Sequence, residues 1–280
     1  QLEPHLIEMG YLTTEKKKVT VKTFVEMKRD GNKIAMLTAY DYTTARLIDE
    51  AGVDSILVGD SASNVMQGND STLPITLDEM IVYARGVARG CQRALVVCDM
   101  PFGSYQVSPE EGVRNAVRLI RETGVDAVKL EGGEEVAPTI ERIVNAGIPV
   151  VGHLGLTPQS IHKFGGYGVR ARSEVEATKL IADAQALEKA GCFAVVLEKI
   201  PASVAQQGTD LLSVPTIGIG AGSHCDGQVL VYADAMGLTQ GFEPKFLREF
   251  AAMGEELRRG VRAYCEAVKG DEFPNESESY

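Results

Sequence analysis

Eight short apolar or β-branched runs, each followed by a longer amphipathic stretch, constrain this chain more than any other feature. Such alternation marks repeated βα units around a parallel sheet. The runs lie at 33–39, 55–59, 94–99, 127–131, 148–152, 193–198, 216–219 and, more weakly, 228–232. Eight units in succession, with no Pro/Gly/Ser-rich linker or composition break, predict a single (β/α)8 TIM barrel of the α/β class rather than two open sheets. Helix punctuation falls between the runs. Ser108-Pro109-Glu110-Glu111 supplies an N-cap, a first-position proline and first-turn acids, and Gly124 ends that helix. Gly52, Gly90, Gly147 and Gly191 are expected to close four others. At 280 residues, either one large barrel or two domains of about 150 residues would fit. The expected organisation is an N-terminal helical extension over 1–20 and a catalytic barrel over 21–280 that includes a long C-terminal helix at 243–269. In that helix Phe246, Phe250, Met253, Leu257, Val261, Tyr264 and Val268 recur at spacings of three and four, forming one apolar stripe. The stripe either covers the barrel as its last helix or reaches a neighbouring subunit.

Apolar residues make up 44% of the chain and charged ones 24%, enough for a sizeable core and far from disordered or fibrous composition. Lys and Arg total 28 against 39 Asp and Glu, so the net charge is −11. With no long basic run, the chain is expected to repel nucleic acid and anionic membrane and to take a small-molecule partner. The five cysteines, at 91, 98, 192, 225 and 265, form no Cys-x-x-Cys pair and read as reduced thiols. No apolar run approaches the roughly 18 residues of a membrane span, and the first 20 residues lack a signal-peptide core; a cytoplasmic protein is expected.

Asp60, Asp99, Glu131, His153 and Glu198 each end or immediately follow one of the predicted strands. They are therefore expected at one rim, the C-terminal mouth where barrel enzymes place their chemistry. Each acid alone reads equally as a helix N-cap or a loop hydrogen bond; five together favour a site. Asp60, Asp99 and Glu131 follow neighbouring strands, and like charges about 4 Å apart repel by roughly 4 kcal/mol at an effective dielectric near 20. A cation or a retained proton must relieve them. Oxygen-only ligands suit a hard ion, Mg²⁺ best, and zinc poorly. Lys129 shares a strand face with Glu131 and is read as holding a substrate carboxylate or oxyanion, or as a buried partner of Glu131. Ser61 either donates to the same ligand or caps the next segment. Glu198, on the sixth strand and across from the three acids, has the place of a general base removing a proton next to a carbonyl. A pair with Lys199 is disfavoured because consecutive strand residues face opposite ways.

Gly218-Ile219-Gly220-Ala221-Gly222 resembles a nucleotide loop, but Ser223 stands where the dinucleotide fingerprint requires glycine; a tight turn that lets backbone approach a ligand is expected instead. Walker, His-Glu-x-x-His and Gly-x-Ser-x-Gly motifs are absent from the sequence. His5, His162 and His224 lack ligand spacing.

The segments Thr38-Ala39-Tyr40-Asp41-Tyr42, Val58-Gly59-Asp60-Ser61, Asp70-Ser71-Thr72-Leu73-Pro74, Val128-Lys129-Leu130-Glu131-Gly132-Gly133, Gly152-His153-Leu154-Gly155-Leu156-Thr157-Pro158-Gln159-Ser160 and Gly218 to Gly222 together resemble the ketopantoate hydroxymethyltransferase family, over about residues 22–274. The resemblance implies a pantothenate-pathway barrel enzyme that moves a one-carbon unit from 5,10-methylenetetrahydrofolate to 3-methyl-2-oxobutanoate through a Mg²⁺-stabilised enolate, giving 2-dehydropantoate. It implies metal-site acids at Asp60, Asp99 and Glu131, some acting through water, and keto-acid contacts at Asp60, Ser61, Asp99 and Lys129. It further implies the proton acceptor at Glu198 and a site histidine at His153. Family members form large homo-oligomers, commonly decamers, with the last helix exchanged between subunits. The chain departs from the family before about Lys18, at His162, and in its tail at 275–280.

Two other readings remain open from sequence. One is a Mg²⁺-dependent oxo-acid lyase or mutase of the isocitrate lyase type, although no Lys-Lys-Cys-Gly-His loop is present. The other is a non-catalytic oxo-acid-binding barrel, which would keep the ligands and need no base.

Overall fold

The computed structural model describes residues 17–280; the expected helical extension over 1–20 falls mostly outside them. Two compact units divide between Val229 and Leu230. In the first, parallel strands β1 (Ile34–Thr38), β2 (Ser55–Val58), β3 (Leu95–Asp99), β4 (Ala127–Glu131), β5 (Val150–Gly155), β6 (Ala194–Glu198), β7 (Thr216–Ile219) and β8 (Gly227–Leu230) pair in chain order and close into a barrel. The predicted (β/α)8 fold is the observed one.

Helices α1 (Val21–Arg29), α2 (Tyr42–Ala51), α3 (Ala62–Val65), α4 (Leu77–Gly90), α5 (Pro109–Thr123), α6 (Ala137–Asn145), α7 (Ile161–Phe164), α8 (Glu174–Lys189) and α9 (Ala202–Leu211) belong to the same unit. Ser108 caps α5 by accepting the Glu111 N–H, and Asp41, Thr76 and Ser173 cap α2, α4 and α8 in the same way. Gly52 and Gly124 end their helices in the left-handed conformation, and Gly147 and Gly191 adopt it two residues beyond theirs. Gly90 does not. It is the last helical residue of α4, where a Cβ would lie 2.6 Å from the Tyr42 carbonyl, so close helix packing accounts for it.

Two strand boundaries differ from expectation. β5 starts later and runs three residues further than 148–152, because Pro149 has no N–H for the ladder while pairing with β6 continues to Gly155 opposite Glu198. His153 is therefore inside its strand. β8 starts one residue earlier than expected and ends at Leu230.

Inside the barrel, alternate residues of each strand face the axis. Leu95 and Val97, Ala127, Val151, and Ala194 and Val196 belong to one buried cluster. Continuing each series by two residues gives Asp99, Lys129 and then Glu131, His153 and Glu198, so the same alternation that builds the core aims these groups into the mouth. The opposite rim is stoppered by α1: Phe24 is buried and meets the Phe193 ring edge-on at 5.7 Å. Lys28 Nζ donates to the carbonyls of Thr209 and Val214, which precede β7.

The second unit contains the short α10 (Tyr232–Ala235) and α11 (Met253–Lys269). The C-terminal helix thus begins ten residues later than 243–269. The chain before it is held in non-helical form by the Phe250 N–H donating to Ala235 and the Met253 N–H donating to Met236. Leu257, Val261 and Tyr264 on its stripe are exposed in this chain.

Candidate active site

The strand-end groups meet through a continuous set of polar contacts. The register sets Asp99 beside Lys129 and Glu131 beside His153. Lys129 Nζ lies 3.0 Å from Asp99 Oδ1, 3.1 Å from His153 Nδ1 and 4.0 Å from Glu131 Oε1. Lys129 is thus a partner of buried acids, with Asp99 nearer than Glu131. Asp99 Oδ2 accepts the Asp60 N–H at 3.0 Å. His153 bridges two acids, with Nδ1 3.3 Å from Glu131 Oε1 and Nε2 3.2 Å from Glu198 Oε2. Glu198 is thus one imidazole away from the cluster rather than isolated across the barrel.

None of the five strand-end groups caps a helix, which removes the capping alternative for the acids. Ser61 stands at the N-cap of α3 but makes no side-chain cap bond; its hydroxyl is 2.7 Å from the Tyr40 hydroxyl. Lys199 turns away from Glu198, its ammonium donating to the Tyr167 carbonyl. Its φ of 49° is left-handed, an uncommon conformation for a non-glycine residue directly after a site residue. Gly155 holds the facing position on β5: at φ 91° a Cβ would lie 2.2 Å from the Glu198 carbonyl oxygen, so only glycine lets the strands approach here.

Asp60, Asp99, Lys129, Glu131 and His153 are all buried, whereas the Glu198 side chain keeps 17% of its surface open. Burial first, then Asp99 and Glu131, push the Asp60 pKa well above the usual carboxylate range. Burial also works against Glu131, but His153, Lys129 and the Gln159 N–H outweigh it and lower that pKa. For His153, burial and Lys129 favour the neutral ring, yet Glu131 and Glu198 on either side raise it to about 9. Burial disfavours the Lys129 charge, and Asp99, Glu131 and Asp60 together overcome it, raising the pKa. The arrangement is a dry pocket in which four carboxyl groups surround the Lys129 ammonium and the His153 ring.

Such a set of carboxyl groups suits a hard cation. Asp99 Oδ1 is buried and accepts no well-directed hydrogen bond, and the donors are oxygens. Among the described residues, no three Asp, Glu, His or Cys side chains are grouped closely enough to hold a metal ion alone. An ion would therefore take its remaining ligands from water and substrate, as Mg²⁺ commonly does. Both Glu131 oxygens are already engaged, Oε1 near His153 and Oε2 by the Gln159 N–H at 2.9 Å.

Two residues of the site were not singled out from sequence. Gln159 and Tyr105 are buried and bonded to each other at 2.6 Å, and Tyr105 accepts the Glu131 N–H at 3.0 Å. Gln159 sits inside one of the recognised segments, which was the available signal. Tyr105 lies on the loop after β3, outside any periodic pattern.

Fold and site define a class: a (β/α)8 barrel enzyme whose C-terminal mouth combines clustered acids, a buried lysine and a more accessible carboxylate. The chain belongs to the ketopantoate hydroxymethyltransferase family, whose profile matches residues 18–276. It is 59% identical over 264 residues to 3-methyl-2-oxobutanoate hydroxymethyltransferase of Flavobacterium johnsoniae, covering 94% of this chain and 97% of that protein. It is 56% identical over 271 residues to the protein of the same name in Bacteroides thetaiotaomicron, covering 97% and 99%. Among solved structures, it shares its fold with 2,3-dimethylmalate lyase, at TM-score 0.57 and 16% identity over 93% of this chain and 91% of that one. A phosphonopyruvate hydrolase solved with oxalate and Mg²⁺ gives TM-score 0.59 and 11% identity, covering 92% of each chain.

Proposed function

We propose that this chain catalyses transfer of a hydroxymethyl group from 5,10-methylenetetrahydrofolate to 3-methyl-2-oxobutanoate, forming 2-dehydropantoate for pantothenate and coenzyme A synthesis. The observation that carries the reading, in a member of this family, is Glu198. It is the most accessible carboxylate of the cluster, and its Oε2 lies 3.2 Å from His153 Nε2, on the side of the acids and Lys129.

In this reading Lys129 attracts the substrate carboxylate, and Ser61 adds a hydrogen bond. Asp60 and Asp99 would hold Mg²⁺ directly and Glu131 through water; the ion would supply positive charge at the keto oxygen. Glu198 removes the C3 proton, and His153, 3.2 Å away, holds the carboxylate in place. The resulting enolate carbon attacks the folate-bound methylene as the first of its two carbon–nitrogen bonds breaks, and water then displaces the second nitrogen and supplies the hydroxyl; the proton taken from C3 and the one released by water end on the two folate nitrogens. Burial around Asp99, Lys129 and Glu131 keeps the developing charge in a preorganised, poorly hydrated site.

No helix among the described residues is long and apolar enough to cross a membrane. A cytoplasmic homo-oligomer, a decamer as in the family, fits the exposed stripe on α11. Light scattering would then give about ten times the 30.1 kDa chain mass.

The test of the activity is direct. Incubation with Mg²⁺, 3-methyl-2-oxobutanoate and 5,10-methylenetetrahydrofolate should yield 2-dehydropantoate by mass spectrometry. Absence of that product, with both substrates intact, would overturn the assignment.

A further inference from the structure

Gln159 touches both sides of the acid cluster, yet the chemistry above gives it no part. It lies in the 3-10 turn Pro158–Ser160 after β5 and is buried. A carboxamide has two N–H donors and one oxygen with two lone pairs, and here every position is filled. Nε2 donates to Asp60 Oδ2 at 2.9 Å and to the Met100 carbonyl at 3.0 Å. Oε1 accepts from the Tyr105 hydroxyl at 2.6 Å and from Gln106 Nε2 at 3.0 Å.

The orientation of the amide is forced. The Met100 carbonyl can only accept, so the nitrogen must face it, and the same nitrogen then meets Asp60. Tyr105 enforces the same polarity: its oxygen accepts the Glu131 N–H, and its single proton goes to the nearer acceptor, Gln159 Oε1, rather than to the Glu131 carbonyl at 3.2 Å. Independently, the Gln159 main-chain N–H donates to Glu131 Oε2 at 2.9 Å. One residue therefore grips Asp60 with its side chain and Glu131 with its backbone, and the loops after β2, β3 and β5 are joined through it.

We propose that Gln159 is a positioning residue that fixes the Asp60 carboxylate relative to Glu131 for capture of the keto acid and its ion, with Tyr105 setting the direction of the amide. The inference rests on the functional reading above. Side-chain substitution separates the two grips, because the backbone bond to Glu131 survives it. Gln159→Met keeps the volume and removes the bond to Asp60. Gln159→Glu keeps volume and shape but sets a second carboxylate against Asp60 Oδ2 and the Met100 carbonyl. A residue that merely filled space would tolerate Gln159→Met with its keto-acid affinity unchanged.

The experiment is calorimetric titration of 3-methyl-2-oxobutanoate into the full-length protein with Mg²⁺, alongside the KM and kcat of C3 proton exchange. Affinity should fall at least about tenfold in Gln159→Met, the scale of a hydrogen bond to a charged group, and further in Gln159→Glu. KM should rise accordingly, while kcat in Gln159→Met stays within about threefold. Circular dichroism and melting verify folding. If Gln159→Met does not fold, Gln159→Asn, which keeps an amide but withdraws it from Asp60 by one methylene, should still weaken binding severalfold. Affinity within threefold of the parent in the folded variants, or Glu serving as well as Gln, would overturn the inference alone. Failure of the parent to bind the keto acid would overturn the functional reading and this inference with it.

Discussion

Asp60→Asn should stabilise the metal-free protein at alkaline pH while impairing its site. The Asp60 carboxyl is raised well above its ordinary range by burial first, then by Asp99 and Glu131, with Lys129 and Gln159 opposing. A folded pKa above the unfolded value, near 3.9, means that the folded chain holds this proton more tightly. Stability is therefore lost as pH rises from about 4 through the folded pKa, and the penalty is present at pH 8. Asparagine has the same shape, carries no charge and keeps an oxygen for the Gln159 donor. Two charges about 5 Å apart repel by roughly 3 kcal/mol at an effective dielectric of 20. Exchanging the charge-assisted bond to Gln159 for a neutral one returns about 1 kcal/mol. A net gain of about 1–2 kcal/mol corresponds to a melting point higher by about 2–6 °C for a chain of this size. Scanning calorimetry in chelator at pH 8 should show that rise, and near pH 4 it should vanish. With Mg²⁺ and keto acid present the parent should gain more than the variant. An Asp60→Asn protein that melts below the parent at pH 8 in chelator would refute the reasoning.

Three further outcomes follow from the geometry. Gly155→Ala must accommodate a Cβ 2.2 Å from the Glu198 carbonyl at a left-handed φ, so it should cost more than about 2 kcal/mol; an unchanged melting point would contradict the close approach of β5 and β6. Phe24→Ala should cost about 3–5 kcal/mol in denaturant unfolding. Because Phe24 lies at the opposite rim, turnover per folded molecule should stay within twofold, and a selective loss of activity would contradict that separation. Asp99→Asn should weaken Mg²⁺-dependent keto-acid binding at least about tenfold by calorimetry, and unchanged affinity would count against Asp99 in the site.

The barrel was legible because its signal is periodic: eight βα alternations, and within the strands an inward series that runs from Val97 to Asp99 and from Ala127 through Lys129 to Glu131. The same period accounts for Asp99, Glu131 and Glu198, whereas Asp60 lies one residue off the series of Leu57, in the turn after β2. What sequence did not reveal lies off that period. Gln159 and Tyr105 reach the site from loops, and loop geometry is set by contacts distant along the chain, such as the Gln159 amide to Met100. The partnering of His153 with both Glu131 and Glu198 depended on where β5 ends, which continued pairing with β6 sets at Gly155. The start of α11 was misplaced for a related reason. The apolar spacing from Phe246 to Val268 is helical throughout, but the bonds of Phe250 and Met253 to Ala235 and Met236 hold its first third in another conformation.

The role of Glu198 as the group that takes a carbon-bound proton is tested without the folate partner. With Mg²⁺ and 3-methyl-2-oxobutanoate in D₂O, NMR should show the C3 proton exchanging in the parent protein, at a rate reduced at least about a hundredfold in Glu198→Gln. Exchange that persists undiminished in a folded Glu198→Gln protein would show that another group removes the proton, and no exchange in the parent would leave a barrel that binds the oxo acid without activating it.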